Sequence, residues 1–126
     1  MIAALMGGVF YREFTKYYNF VGYSPLSVVH VHLFALGVIF MLVIGMLDVK
    51  YNLNENKCFK WFFLTYLIGL PFMVTMMITR GVIVVMNLSL SKGLDSAISG
   101  IAGLSHMLMA TSIILLFVSM FKGIKS

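Results

Sequence analysis

Two histidines one residue apart, His30 and His32, sit just inside an uncharged run that extends to about Leu47. A third, His106, lies deep in another such run near the C-terminal end. An ionisable group inside a stretch this apolar is costly, which makes it a candidate for chemistry. Neutral imidazole is the commonest metal ligand among side chains. In so apolar a setting the bulky metal group to expect is haem b, with His30, His32 and His106 as candidate iron ligands.

Residues two apart on a helix point about 200° away from each other, because each residue turns about 100°. His30 and His32 therefore cannot both ligate one iron on a regular helix. One is expected to face the protomer's own bundle and the other a neighbouring subunit or a second cofactor. The bland alternative is a carbonyl hydrogen bond between helices, which would satisfy any one of the three. His106 follows Gly100 and Gly103, which form small-xxx-small pairs with Ser96 and Ser99 and let a helix or a flat macrocycle approach closely. Among the three, His32 and His30 are preferred as ligands to His106. The eleven methionines, Met107 and Met109 among them, are read as packing.

Arg80 interrupts a third apolar run and needs an anion there. Candidates are Glu13, a lipid phosphate reached by snorkelling, or a haem propionate, for which the guanidinium fork is well suited. Arg12, adjacent to Glu13, is expected to extend the same polar cluster, so Arg12 and Arg80 join the cofactor-binding candidates. Only four acidic residues occur, and no Gly-rich phosphate loop, Ser/His/Asp set or carboxylate pair is visible. The single cysteine, Cys58, excludes an internal disulfide or a Cys-pair metal motif, and no role is assigned to it.

The elements that would position these residues follow from composition. Of 126 residues 61% are hydrophobic and 10% charged, and the mean hydropathy is +1.02. These values are far from those of soluble domains and point to an all-α integral membrane four-helix bundle in a single transmembrane domain, 1–126. The net charge of +5 is scattered over loops and ends, which fits anionic lipid and excludes nucleic acid as a partner.

Helices are expected at about 1–18, 25–47, 61–88 and 96–121. The first is short for a span, has no signal-peptide pattern, and suggests a truncated start. Ser24 is the expected N-cap of the second, with Pro25 at its first position. Trp61, Phe62 and Phe63 are read as an interfacial belt at the start of the third, where Pro71 should introduce a kink. Lys50, Lys57, Lys60, Lys122 and Lys125 fall on one side against Arg12, Lys16 and Lys92 on the other. That balance places both termini in the cytoplasm of a multi-pass plasma-membrane protein, and brings the three histidines to one depth.

The stretch His30-Val31-His32-Leu33-Phe34-Ala35-Leu36-Gly37 resembles the His-x-His-x-x-x-Leu-Gly helix of haem-copper oxidase catalytic subunits, C-type oxidases and nitric oxide reductases above all. There the two histidines serve two different haems. Over nearly its full length the chain also resembles a family of small four-helix bacterial membrane proteins of unknown function. That likeness includes Val9-Phe10-Tyr11-Arg12-Glu13-Phe14, Ser27-Val28-Val29-His30 and the stretch Leu94-Asp95-Ser96-Ala97-Ile98-Ser99-Gly100-Ile101-Ala102-Gly103-Leu104. The oxidase subunit has three pseudo-equivalent arcs of four helices, so the resemblance implies one arc per chain and a homotrimer. The further histidines of a copper site and its linked tyrosine have no match, so oxygen reduction is not implied.

The expected function is membrane-embedded haem b binding, for electron transfer with a quinone or other redox partner or for O2 or NO binding. The alternatives are a small proton-coupled multidrug-type exporter using Glu13, and a membrane assembly subunit without chemistry.

Overall fold

The computed structural model describes residues 1–125, with side chains described through Gly123. Its architecture is four helices: α1 (Ile2–Tyr17), α2 (Leu26–Tyr51), α3 (Lys57–Val85) and α4 (Lys92–Lys125). A single 3-10 turn, Leu53–Glu55, links α2 to α3. Leu26–Tyr51, Lys57–Val85 and Lys92–Gly123 are long and apolar enough to cross a membrane, whereas α1 has only 16 residues.

Each helix end has a local cause. The Ser24 hydroxyl, buried completely, accepts the Leu26 N–H at 3.3 Å and donates to the Gly81 carbonyl at 3.1 Å. It thereby caps α2 and ties that cap to α3. α2 then runs to Tyr51, past the expected end, and stops where Asn52 turns left-handed at φ 48°. Asn56 accepts the Cys58 N–H at 2.9 Å and starts α3 at Lys57, before Trp61. The Ser91 carbonyl accepts the Asp95 N–H at 3.0 Å, and α4 begins at Lys92 rather than Ser96. α3 passes through Pro71 without interruption. The Lys125 side chain, counted above in the charge balance, lies outside the described residues.

α3 is central: it packs against both α2 and α4, the C-terminal half of α2 also touches α4, and α1 packs against α2. The α3/α4 seam is the main core. On α4, Ser105, Ser112 and Ser119 recur every seven residues with no exposure at all, interleaved with the buried Met109 and Leu116. A seven-residue repeat keeps one stripe facing a neighbouring helix over its length. Small side chains on that stripe let the backbones close on Phe59, Phe62, Tyr66 and Met73 of α3. Ser105 and Ser112 donate back to the Ala102 and Met109 carbonyls at 2.7 Å, so their hydroxyls are satisfied within the helix.

Two glycines of α3 set its distances to both neighbours. A Cβ on Gly69 would lie 3.1 Å from Met109 Sδ, and one on Gly81 only 2.7 Å from the Leu26 backbone nitrogen.

Candidate functional site

The three histidines lie on two helices whose register is fixed by contacts with α3. Gly81 touches Leu26, and Leu70 lies 3.8 Å from a Cβ on Gly37, so His30 and His32 fall opposite the α3 stretch 75–77. Between the antiparallel α3 and α4, Arg80 pairs with Asp95 and Gly69 meets Met109, which puts His106 opposite about residue 72. The three therefore share a level within roughly 8 Å at about 1.5 Å per residue.

Their environments differ. The Nδ1 of His32 lies 2.8 Å from the Val28 carbonyl, and that of His106 lies 2.9 Å from the Ala102 carbonyl, four residues back in each case. A carbonyl oxygen only accepts, so both rings carry their proton on Nδ1. Nε2 is left with a lone pair, the arrangement in which metal-ligating histidines are oriented by a backbone oxygen. His32 is half-buried and His106 exposed.

His30 is set differently. Its ring packs against α1, where a Cβ on Gly8 would sit 3.6 Å from Cγ, and its Nδ1 is buried with no hydrogen-bond partner. A buried N–H left unmade costs about 1–3 kcal/mol. The proton therefore belongs on Nε2, and the buried Nδ1 keeps its lone pair. His32 and His106 thus share one arrangement, and His30 has another. Among the described residues no group of three or more His, Cys, Asp or Glu side chains converges, so the three histidines form no common cluster within one chain.

Three residues after His32 the α2 helix widens into a π-helical segment, Ala35–Phe40. Such widening shifts the backbone ladder and recurs at functional sites. Here it is pinned from α3: the fully buried Tyr66 donates its hydroxyl to the Leu36 carbonyl at 2.8 Å and stacks on Phe40 with ring centroids 5.4 Å apart. Neither the π segment nor Tyr66 was expected from sequence. A Leu-Gly pair after His-x-His carries no signal that separates π from α.

The arginines find partners of their own. Arg80 Nη1 donates to Asp95 Oδ1 at 2.6 Å, and the two side chains are 34% and 52% exposed. Asp95 is not among the anions expected from sequence, since it lies just before the helix expected at about 96–121. Starting α4 at Lys92 puts it in the first helical turn, opposite Arg80. Arg12 Nε lies 3.6 Å from Glu13 Oε1, with both side chains mainly exposed, and among the described residues this pair is not joined to Arg80 or the histidines.

The close approach expected at the Ser96/Gly100 and Ser99/Gly103 pairs is not made within the chain. Nothing lies within 4 Å of a Cβ placed on Gly100 or Gly103, and Ser96 and Ser99 are exposed. Met109 packs into the notch over Gly69, and Met107 is 68% exposed. An apolar cleft of about 580 Å³ opens between α1, α2 and α3, walled by Phe10, Leu33 and Pro71 among others, with no histidine in its lining.

Fold and site together define an all-helical chain with three span-length apolar helices and two imidazoles, on α2 and α4, each bonded to a carbonyl of its own helix. The chain belongs to the family described as Protein of unknown function (DUF2871), whose family model matches residues 1–123. No curated protein matches the chain, and no solved structure matches it.

Proposed function

We propose that this chain is a multi-pass membrane protein that binds b-type haem through His32 and His106. The observation that carries the reading is the matched pair of Nδ1 to carbonyl bonds, which leaves Nε2 of both rings as the free base. An imidazole tethered by its own helix in this way is oriented before the metal arrives. Bound there, haem supplies one-electron transfer when two imidazoles coordinate and binding of a diatomic gas when one does. The two matched histidines favour electron transfer, with a quinone or other redox partner. Arg80 and Arg12 are left out of the proposed set, since each is paired with a carboxylate of this chain.

Insertion in a bilayer is supported by the surface. Leu5 and Val9 on α1, Leu42 and Met46 on α2, Leu67 and Ile68 on α3, and Ile114 and Phe121 on α4 are all more than half exposed. Soluble monomers rarely expose apolar patches of that extent. Lys50 and Lys122 line one polar recess at the end where α2 and α4 finish. With Lys57 and Lys60 nearby in sequence, that end is the cytoplasmic one in this reading. The oxidase resemblance supports a homotrimer. An exporter built on Glu13 finds less support, because Glu13 is exposed and paired with Arg12.

The test is the optical spectrum of protein purified in detergent from haem-sufficient cells. A Soret band with sharp α and β bands on reduction is expected. Colourless protein that fails to take up added hemin stoichiometrically contradicts the reading.

A further inference from the structure

We propose that the groove between α2 and α3, at the end of the bundle that bears Lys60, holds one phospholipid whose headgroup carries a primary ammonium beside its phosphate, with the ammonium on Asp48 and the phosphate on Lys60. The proposal rests on the bilayer insertion read above and not on the haem.

The groove joins an apolar slot to a mouth with two opposite charges. Its cavity of about 440 Å³ is walled by Met41 and Ile44 of α2 and by Phe63 and Leu67 of α3 among others, and its polar lining is Asp48, Asn54 and Lys60. Met41, Phe63 and Leu67 also line a second cavity of about 190 Å³ that reaches Gly37 and Pro71, so the slot continues away from the charges. The α3 wall from Lys60 to Pro71 is about 16 Å long at about 1.5 Å per residue. Phe63 and Leu67 are 43% and 53% exposed, which leaves the slot open on its outer side, where acyl chains lie in a bilayer.

The charges at the mouth select the headgroup. Asp48 is held in place by neutral donors: its Oδ1 accepts the Asn54 N–H at 2.8 Å and its Oδ2 accepts from the Asn54 side-chain amide. Its negative charge is left uncompensated, and a carboxylate has lone pairs to spare after two hydrogen bonds. Lys60, in the first turn of α3, is exposed. Among the described residues the ion pairs are Arg12–Glu13 and Arg80–Asp95, so Asp48 and Lys60 are paired neither with each other nor with another described side chain. A headgroup with phosphate alone would set a negative charge against Asp48, and a quaternary ammonium has no N–H to donate. A phosphoethanolamine group answers both charges, its ammonium donating to the carboxylate and its phosphate accepting from the lysine. A neutral ring on an apolar tail, as in a quinone, would use neither charge.

Native mass spectrometry of the full chain in detergent, incubated with equal amounts of phosphatidylethanolamine, phosphatidylcholine and phosphatidylglycerol of matched acyl chains, tests this. The wild type is expected to retain one phosphatidylethanolamine, with a preference of about five-fold over either of the others, the scale of one partly exposed ion pair. Asp48→Asn should bring the ethanolamine and glycerol lipids to equal retention, and Lys60→Gln should lower retention of every phospholipid. Gly45→Leu, at a lining position with nothing within 4 Å of a Cβ, fills the slot from α2 and should lose the lipid with no drop in the thermal midpoint measured without lipid. Equal retention of the phospholipids by the wild type, a preference for phosphatidylglycerol, or preferential uptake of an added quinone would overturn the proposal. So would a lipid-free dimer, in which a second copy fills the groove; none of these results needs a variant to fold. A chain that fails to float with vesicles in a density gradient contradicts bilayer insertion itself, and is told apart from a chain that floats without lipid preference.

Discussion

α4 carries small residues on two faces, and only one of them is used within the chain. On the inner face Ser105, Ser112 and Ser119 have no exposure and their stripe closes on the aromatic side chains of α3. On the outer face a Cβ on Gly100 or Gly103 would have nothing within 4 Å. Both patterns read alike in sequence, as small residues at helical spacing. The difference teaches that such a stripe reports a close approach without saying whose. The inner stripe explains how the fold holds together, and the outer one, with His106 beside it, is left uncovered by this chain.

The comparison breaks most readily at the internal notches. Gly81→Ala would place a Cβ 2.5 Å from Leu26 Cγ and 2.7 Å from its backbone nitrogen. The first turn of α2 would have to move, at a cost of about 2–3 kcal/mol. Thermal unfolding in detergent, followed by helical circular dichroism, should show a clearly lowered midpoint; an unchanged midpoint would mean that the α2/α3 contact is not tight. Tyr66→Phe keeps the buried ring and removes only the hydroxyl on the Leu36 carbonyl. A loss of about 1–2 kcal/mol is expected, with the π-helical segment as the element that relaxes. Amide hydrogen exchange that is faster at 35–40 and unchanged in α4 would locate the effect there.

At the outer face the same kind of change should have the opposite sign. Gly103→Ala meets no atom and improves helix propensity by up to about 1 kcal/mol, so the isolated chain should be as stable as before or more so. In the haem reading the added methyl group narrows the space beside His106, so haem per chain should fall, read by the absorbance at the Soret band. A variant with full haem would show that the outer glycines do not border the haem.

Much of this fold is legible from composition and hydropathy, because four apolar runs separated by polar ones leave little else to build. The helix ends were less legible, since Asn56, Ser91 and Asn52 act through single backbone hydrogen bonds or a single left-handed residue. The polar stretch from Asp48 to Lys60 therefore reads as one loop, although it contains the last turn of α2 and the first of α3. The three histidines stand out in sequence by type and depth. What could not be read there is which ring nitrogen is free. That depends on a carbonyl four residues back for His32 and His106, and on the packing of α1 for His30. The Arg80–Asp95 pair was hidden for a related reason: it depends on where α4 begins.

The central claim is that His32 and His106 hold the haem and His30 does not. Its most direct test is haem per chain in His30→Ala, His32→Ala and His106→Ala, measured as the reduced pyridine haemochrome on protein whose helical content matches the wild type. The account predicts loss of at least ten-fold for His32→Ala and His106→Ala, and retention within two-fold for His30→Ala. Loss in folded His30→Ala, with haem kept by either of the other two, would contradict it.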